Sequence, residues 1–327
     1  MSTSMMIRKR TLIGEFANIG PFRSTHSKDS RIRKMMSEEG ENNRVSLYLA
    51  QHVKNHEWYK MQMLHDLGHR DFIILDNGAF EGGALAHIDL ANLTEQILEH
   101  NHMNKFAVIA PDYPGEDPNK TWESAVEFDQ LLQKRGLRDR VYMFYVPQGR
   151  PKNRDDIRYQ IEILASETEG KSPSRVDGVC FSILASPIAM GALGTSKDVE
   201  SRIKLIDWLL RTEPENMKKV LDRLYVHWLG LFNAPGELEL IPAFLREHNL
   251  DGSRLINSFD SAAAWKAGYL HQLFETADTE RSRLPKPNLD AIIDLDWVLE
   301  DARSVHYGVL NSKYIRNIAK GIREFKL

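Results

Sequence analysis

Three aspartates in this 327-residue chain stand just past the end of an apolar run. Phe72 to Leu75 stops at Asp76, and Asn77 and Gly78 follow. Phe106 to Ala110 runs into Pro111 and Asp112. Leu255 to Asn257 leads through Ser258 and Phe259 to Asp260. Further apolar runs carry Gln148, Ser182 and His227 at or near their ends. A carboxylate can move a proton or attack an electron-poor carbon. Three of them with an amide around one pocket therefore suit general acid–base or nucleophilic work on a polar substrate. The same oxygens would also suit a magnesium ion. A lone aspartate after a strand more often caps a turn. Three of them, each after an apolar run, make capping the lesser reading.

The runs themselves must bring these residues together. Short apolar segments bounded by turn formers read as strands buried on both faces, which is the habit of a parallel sheet. Such strands are expected at 45–50, 72–75, 106–110, 141–146, 176–184, 224–228 and 255–257. Helical spacing fills the gaps at 57–67, 90–100, 121–134, 154–166, 199–211 and 235–248. Asn119 suits an N-cap, Gly136 a helix end, and Pro235 a first helical turn. Strand and helix alternate about every 30 residues from 45 to 270, which implies an α/β protein with a parallel sheet. Seven strands, with an eighth hidden near one end, suit a (β/α)8 TIM barrel. In that fold the carboxyl ends of the strands meet at one mouth. One domain over 1–327 is expected, with an irregular segment at 1–44 and C-terminal helices in 278–327.

Composition bounds the rest. The chain is 42% hydrophobic and 27% charged, as in ordinary soluble proteins. No apolar run approaches the ~20 residues of a membrane span, and no signal-peptide core follows the basic start. A cytoplasmic protein with no membrane partner is the expectation. The single cysteine, Cys180, rules out an internal disulfide and a multi-cysteine zinc site; its apolar setting suits a buried structural thiol. A net charge of −3 gives no general attraction to nucleic acid, so such binding would need local patches. Two are present. Lys313, Arg316, Lys320, Arg323 and Lys326 recur at helical spacing opposite Ile315, Ile318 and Ile322. Arg150, Lys152 and Arg154 follow Gln148 closely enough to reach phosphates at a barrel mouth.

Taken in order, the segments DNGAFE, APDYP, PQG, GVCFSILA, VHWLG and NSFDSA resemble motifs of the tRNA-guanine transglycosylases. They are most like the shorter phage and bacterial relatives that put 7-deazaguanines into DNA. The resemblance spans roughly residues 71–268 and implies the same (β/α)8 fold. It implies Asp260 as the nucleophile and Asp76 as the general acid/base. Asp112 and Gln148 would read the base edge, with Phe80 and Leu229 sandwiching the base. Gly230, Ser182 and Ile183 would line the same pocket. The last two stand where the family has two glycines, so their side chains are expected to intrude. His227 is expected to be a satisfied core histidine. The tRNA enzymes carry a three-cysteine, one-histidine zinc site, which this chain cannot build; that absence and the chain length point to the DNA branch. The resemblance implies DNA and a free 7-deazaguanine such as 7-cyano-7-deazaguanine as partners, with no cofactor and no metal. A phage-encoded member would act in the host cytoplasm. tRNA is the alternative acceptor, a silent nucleic-acid-binding subunit a further alternative, and a helper protein or homodimer stays open.

Overall fold

A computed structural model describes residues 16–17, 45–68, 72–79, 84–100, 104–169, 175–190, 200–231, 235–260, 267, 273–274 and 302–326. Strand β1 (Phe16–Ala17) pairs with β2 (Val45–Leu49), and α1 (Ala50–Asn55) and α2 (Glu57–Gly68) follow. Next come β3 (Phe72–Asp76), α3 (His87–His100), β4 (Phe106–Ile109), α4 (Pro118–Lys134), β5 (Val141–Tyr145) and α5 (Arg154–Thr168). Then follow β6 (Gly178–Ser182), α6 (Ala185–Met190), α7 (Ser201–Thr212), α8 (Pro214–Arg223) and β7 (Tyr225–Leu229). The described chain ends with α9 (Gly236–His248), α10 (Gly252–Leu255), β8 (Ser258–Phe259) and α11 (Ala302–Glu324). The strands form one eight-stranded sheet in the order β1 to β8, every neighbouring pair parallel. Sequential parallel strands with helices between them make this a (β/α)8 TIM barrel.

Two apolar layers follow from the strand period of two. Val45, Leu47, Leu49, Phe72, Ile74, Ala107, Ile109, Phe144, Val146, Cys180 and Tyr225 cluster inside the barrel. Intervening positions such as Tyr48, Ile73, Leu75, Phe106, Val108 and Met143 pack outward against the helices. The rings of Phe72, Phe144 and Tyr225, from alternate strands, lie 5.3 to 6.1 Å apart as one interior layer. Two residues on, the same strands carry Ile74, Val146 and His227. Two residues further they carry Asp76, Gln148 and Leu229.

Several expectations need correction. The eighth strand lies at Phe16–Ala17, inside the segment read as irregular. The last strand is not 255–257 but Ser258–Phe259, after a helical turn at Gly252–Leu255. Asn257 explains the shift: its amide joins that turn to β7, with Nδ2 donating to Ser253 O at 2.8 Å and Oδ1 accepting from Val226 N at 2.7 Å. The N-cap of α4 is Asp117 rather than Asn119. Its carboxylate accepts from Asn119 N, and Pro118 takes the first helical position, where no N–H is needed. Pro214 opens α8, a helix the apolar periodicity did not reveal. Among the described residues no helix is long and apolar enough to cross a membrane.

Of the expected C-terminal helices, α11 falls among the described residues. Ile315, Ala319 and Ile322 are buried and Ile318 partly so, and the helix packs on α9 and α10. Gly252 makes this docking possible. A Cβ there would lie 1.8 Å from the carbonyl oxygen of Ile322, and its N–H donates to Phe325 O at 3.2 Å. Gly252→Ala is expected to destabilise the fold by about 1–3 kcal/mol, as overpacking does. Urea unfolding would measure this, and limited proteolysis should show α11 released first.

Candidate active site

The barrel alternation brings Asp76, Gln148 and Asp260 to the inner face at the strand carboxyl ends; Asp112 comes from the segment after β4, out of step with inward-facing Ala107 and Ile109. Asp76, Asp112, Gln148 and Asp260 are all buried, the most exposed at 9%. Cys180, one layer deeper on β6, reports on their arrangement. Burial pushes its thiol well up, and the negative charges of Asp76, Asp260 and Asp112 push it further. Each of the three carboxylates is therefore close enough for its charge to act on Cys180. The thiol itself is fully buried, as expected of a structural cysteine.

Asp112 is held from two sides. Asn77 Nδ2 donates to Oδ1 at 2.7 Å, and Gln148 Nε2 donates to Oδ2 in a short contact. Burial pushes this carboxyl up to about 6, against the pull of those donors. Asn77 also donates to Ala110 O at 2.8 Å and accepts from Ala79 N at 2.8 Å, which ties the β3 and β4 ends together. Gln148 is fixed in turn by Gln160 of α5, whose amide bonds both its N–H and its carbonyl. Gln148 Oε1 is buried with no hydrogen-bond partner among the described residues. A buried acceptor left over beside a carboxylate can be met by a donor from a ligand or by water.

Asp260 is held differently. Its Oδ1 accepts from His227 Nε2 at 3.0 Å and from Gly230 N at 2.8 Å. The hydroxyl of Ser258 lies 2.7 Å from His227 Nδ1. His227 is a fully buried, satisfied histidine, as expected, but one of its partners is the candidate nucleophile. Both donors converge on Oδ1, so Oδ2 carries no protein donor among the described residues. Asp76 Oδ1 accepts from Gly78 N at 3.3 Å.

The other expected positions divide. Leu229 is half-buried and packs on the interior cluster at the mouth. Gly230 adopts a φ of +69°, and a Cβ there would lie 2.8 Å from the Ile183 side chain, so Ile183 occupies the space above it. Ser182 also begins the next helix. Its Oγ accepts from Leu184 N at 3.1 Å and Ala185 N at 3.3 Å, opening α6. Phe80 lies outside the described residues. Arg150 grips Asp156 through Nε and Nη2 at 2.8 and 2.7 Å, and the Arg154 guanidinium stacks 4.4 Å over the Trp208 ring. Lys152 is exposed on a turn with a φ of +62°, its N–H bound to Ile188 O at 2.9 Å. On α11, Lys313 and Arg316 are half-buried and Lys320 exposed; the Arg323 side chain is outside the described residues.

No protein-family model matches this sequence, and no curated protein matches it. Solved structures are similar at low identity. A protein described as an orotidine-monophosphate decarboxylase from Toxoplasma gondii aligns at 10% identity and a TM-score of 0.47, over 98% of this chain and 96% of its own. N-acetylneuraminate lyase from Mycoplasma synoviae aligns at 11% identity and a TM-score of 0.43, over 95% and 97%. A GH5 cellulase from an Icelandic hot spring isolate aligns at 11% and 0.41, over 76% and 74%. At these values none of the three bears on the chemistry of this chain.

Sequence reading passed over Gln160, Ser258, Arg202 and Glu237. The last two carried a signal. Arg202, Leu205, Ile206 and Leu209 share one buried stripe of α7, and Glu237, Leu238 and Ile241 lie buried on α9. A charge on a buried stripe needs a partner.

Asp112 should leave a mark on stability. Its folded pKa of about 6 lies above its ordinary 3.8, so its contribution is complete below pH 3.8 and is lost as pH rises through 6. Over that window it accounts for a loss of about 3 kcal/mol. Urea unfolding from pH 4 to 7 is expected to show this decline in the wild type and a flatter profile in Asp112→Asn.

Proposed function

We propose that this chain is a base-exchanging transglycosylase that replaces guanine in DNA with a 7-deazaguanine. What carries the reading is that Asp76, Asp112 and Asp260 all lie buried at the strand carboxyl ends within electrostatic reach of Cys180, with an unpartnered acceptor on Gln148 beside Asp112. The motif resemblance assigns chemistry to those same positions.

In this reading Asp260 Oδ2 attacks the anomeric carbon of the target deoxyguanosine. The bond from that carbon to N9 breaks, and N9 leaves with the electron pair. Asp76 supplies the proton the leaving base needs. Guanine departs and the deazaguanine enters. Asp76 takes a proton from the incoming base, whose N9 attacks the anomeric carbon and frees Asp260. This is the double displacement of a retaining glycosidase, with a heterocycle in place of water. Hydrogen bonds from His227 and Gly230 to Oδ1 steer Asp260 so that its other oxygen does the attacking. Ionised Asp112 accepts from the donor edge of the base. A base without those donors would leave buried polar atoms unpaired, which gives selectivity. A base held this deep must first leave the stack of a duplex.

The residues supply acid–base and nucleophilic groups from protein side chains alone. With one cysteine the chain cannot form the zinc site of the tRNA enzymes, which favours DNA as the acceptor. Exposed Lys152 on its strained turn is the basic residue near Gln148 best placed to meet a phosphate, since Arg150 and Arg154 are held by Asp156 and Trp208.

Labelled-guanine exchange into DNA tests the assignment. Asp260→Asn is expected to lose exchange by about a thousandfold or more and to form no DNA adduct on a denaturing gel. Full exchange by that variant would end the proposal, and label entering tRNA but not DNA would move the acceptor to tRNA. Asp112→Asn should instead raise the KM for the free base by about tenfold or more, the cost of one mispaired buried hydrogen bond.

A further inference from the structure

Below the mouth, between β6, β7 and the two helices that follow them, lies a cation that the proposed chemistry does not use directly. Arg202, the second residue of α7, is fully buried. Its Nη1 donates to Phe181 O at 2.9 Å, and its Nη2 donates to Gly230 O in a short contact. Its Nε lies 2.9 Å from Glu237 Oε1, and Trp228 packs 5.1 Å from its guanidinium carbon. One planar group thus spans the ends of two neighbouring strands and the first turn of α9. Gly230 has a second attachment, because its N–H donates to Asp260 Oδ1 at 2.8 Å. Arg202, Gly230 and Asp260 therefore form one chain, with the left-handed glycine as its middle link.

We infer that Arg202 is a positioning residue for Asp260, acting through the Gly230 peptide groups. The guanidinium fixes the direction of the Gly230 carbonyl, and the backbone then aims the Gly230 N–H at Asp260. Two donors on Oδ1 leave Oδ2 as the oxygen that faces the substrate. Stability alone gives no reason for this arrangement, since well-packed apolar residues replace a buried ion pair at little or no cost. What apolar residues cannot do is orient two carbonyls at once. Lysine cannot do it either, because its single nitrogen lacks the rigid fork. Glu237 balances the charge so that the cation can stay in the core.

The catalytic part of this role rests on the reading of Asp260 as nucleophile; the coupling from Arg202 to Gly230 does not. Two variants separate them. Arg202→Met with Glu237→Met removes both charges together and leaves neither unpaired. Arg202→Lys keeps the charge and loses the fork. In each, hydrogen exchange of the Gly230 amide is followed by NMR on glycine-labelled protein. Labelled-guanine exchange into DNA supplies kcat and KM. The double variant is expected to fold, to lose Gly230 amide protection, and to lose kcat by about a hundredfold with the KM for free guanine within about twofold. Arg202→Lys should follow it in both readouts. A folded variant of either kind with wild-type Gly230 protection and wild-type kcat overturns the inference. Should the double variant not fold, Arg202→Lys decides alone by the same two readouts. Absence of exchange in the wild type would defeat the functional reading, and Gly230 protection would still decide the coupling.

Discussion

The candidate site depends first on the strict alternation of side chains along the β-strands that lead to it. Phe72, Ile74 and Asp76 face the same way because they are two residues apart; so do Phe144, Val146 and Gln148, and Tyr225, His227 and Leu229. The lower members stack as aromatic rings in the barrel interior, which fixes the direction of all that follow on the same strands. A slip of one residue would send Asp76 and Gln148 out against the helices and bring outer apolar residues to the mouth. The apolar interior is what makes the polar mouth possible.

That interior also sets the electrostatics. Burial opposes the ionisation of Asp112, and Asp112 and Asp260 are held by their donors in different ways. Asp112 has an amide donor on each oxygen and is still pushed up to about 6. Asp260 has two donors on the same oxygen, one from an imidazole and one from the backbone. Symmetric clamping suits a carboxylate that reads a base edge. One-sided clamping suits one that must present a bare oxygen. The distinction fits the separate roles proposed for them, and it rests on geometry alone.

The buried Arg202–Glu237 pair shows how such a mouth is braced. Burial raises the Glu237 carboxyl and lowers the Arg202 guanidinium, and their mutual attraction opposes both effects. Removing one partner would strand a charge in the core at a cost of about 3–5 kcal/mol. The pair sits where β6 and β7 end, next to Leu229, Gly230 and Ile183, so the same contacts that bind α7 to α9 also shape the proposed base pocket.

Much of this was legible in the chain. Apolar runs ending in Asp76, Asp112 and Gln148 identified strands, a parallel barrel and the residues at its mouth, because burial on both faces and the turn after each strand are local demands on sequence. The last strand was misplaced because Asn257 replaces a ladder partner with its own side chain, and a side-chain contact leaves no periodicity. Arg202 and Glu237 were passed over, their only mark in the sequence being a charge on an apolar stripe; that they pair follows from the packing together of helices on which they lie 35 positions apart. Sequence by itself determined the six strands β2 to β7, their alternation and the acidic residues that follow apolar runs. Which oxygen of Asp260 is held, that Ser182 accepts the first N–H groups of α6, and that Arg202 reaches Asp260 through Gly230 were decided only by the tertiary structure. Those are contacts between distant segments, and their directions exist only once the barrel has been assembled.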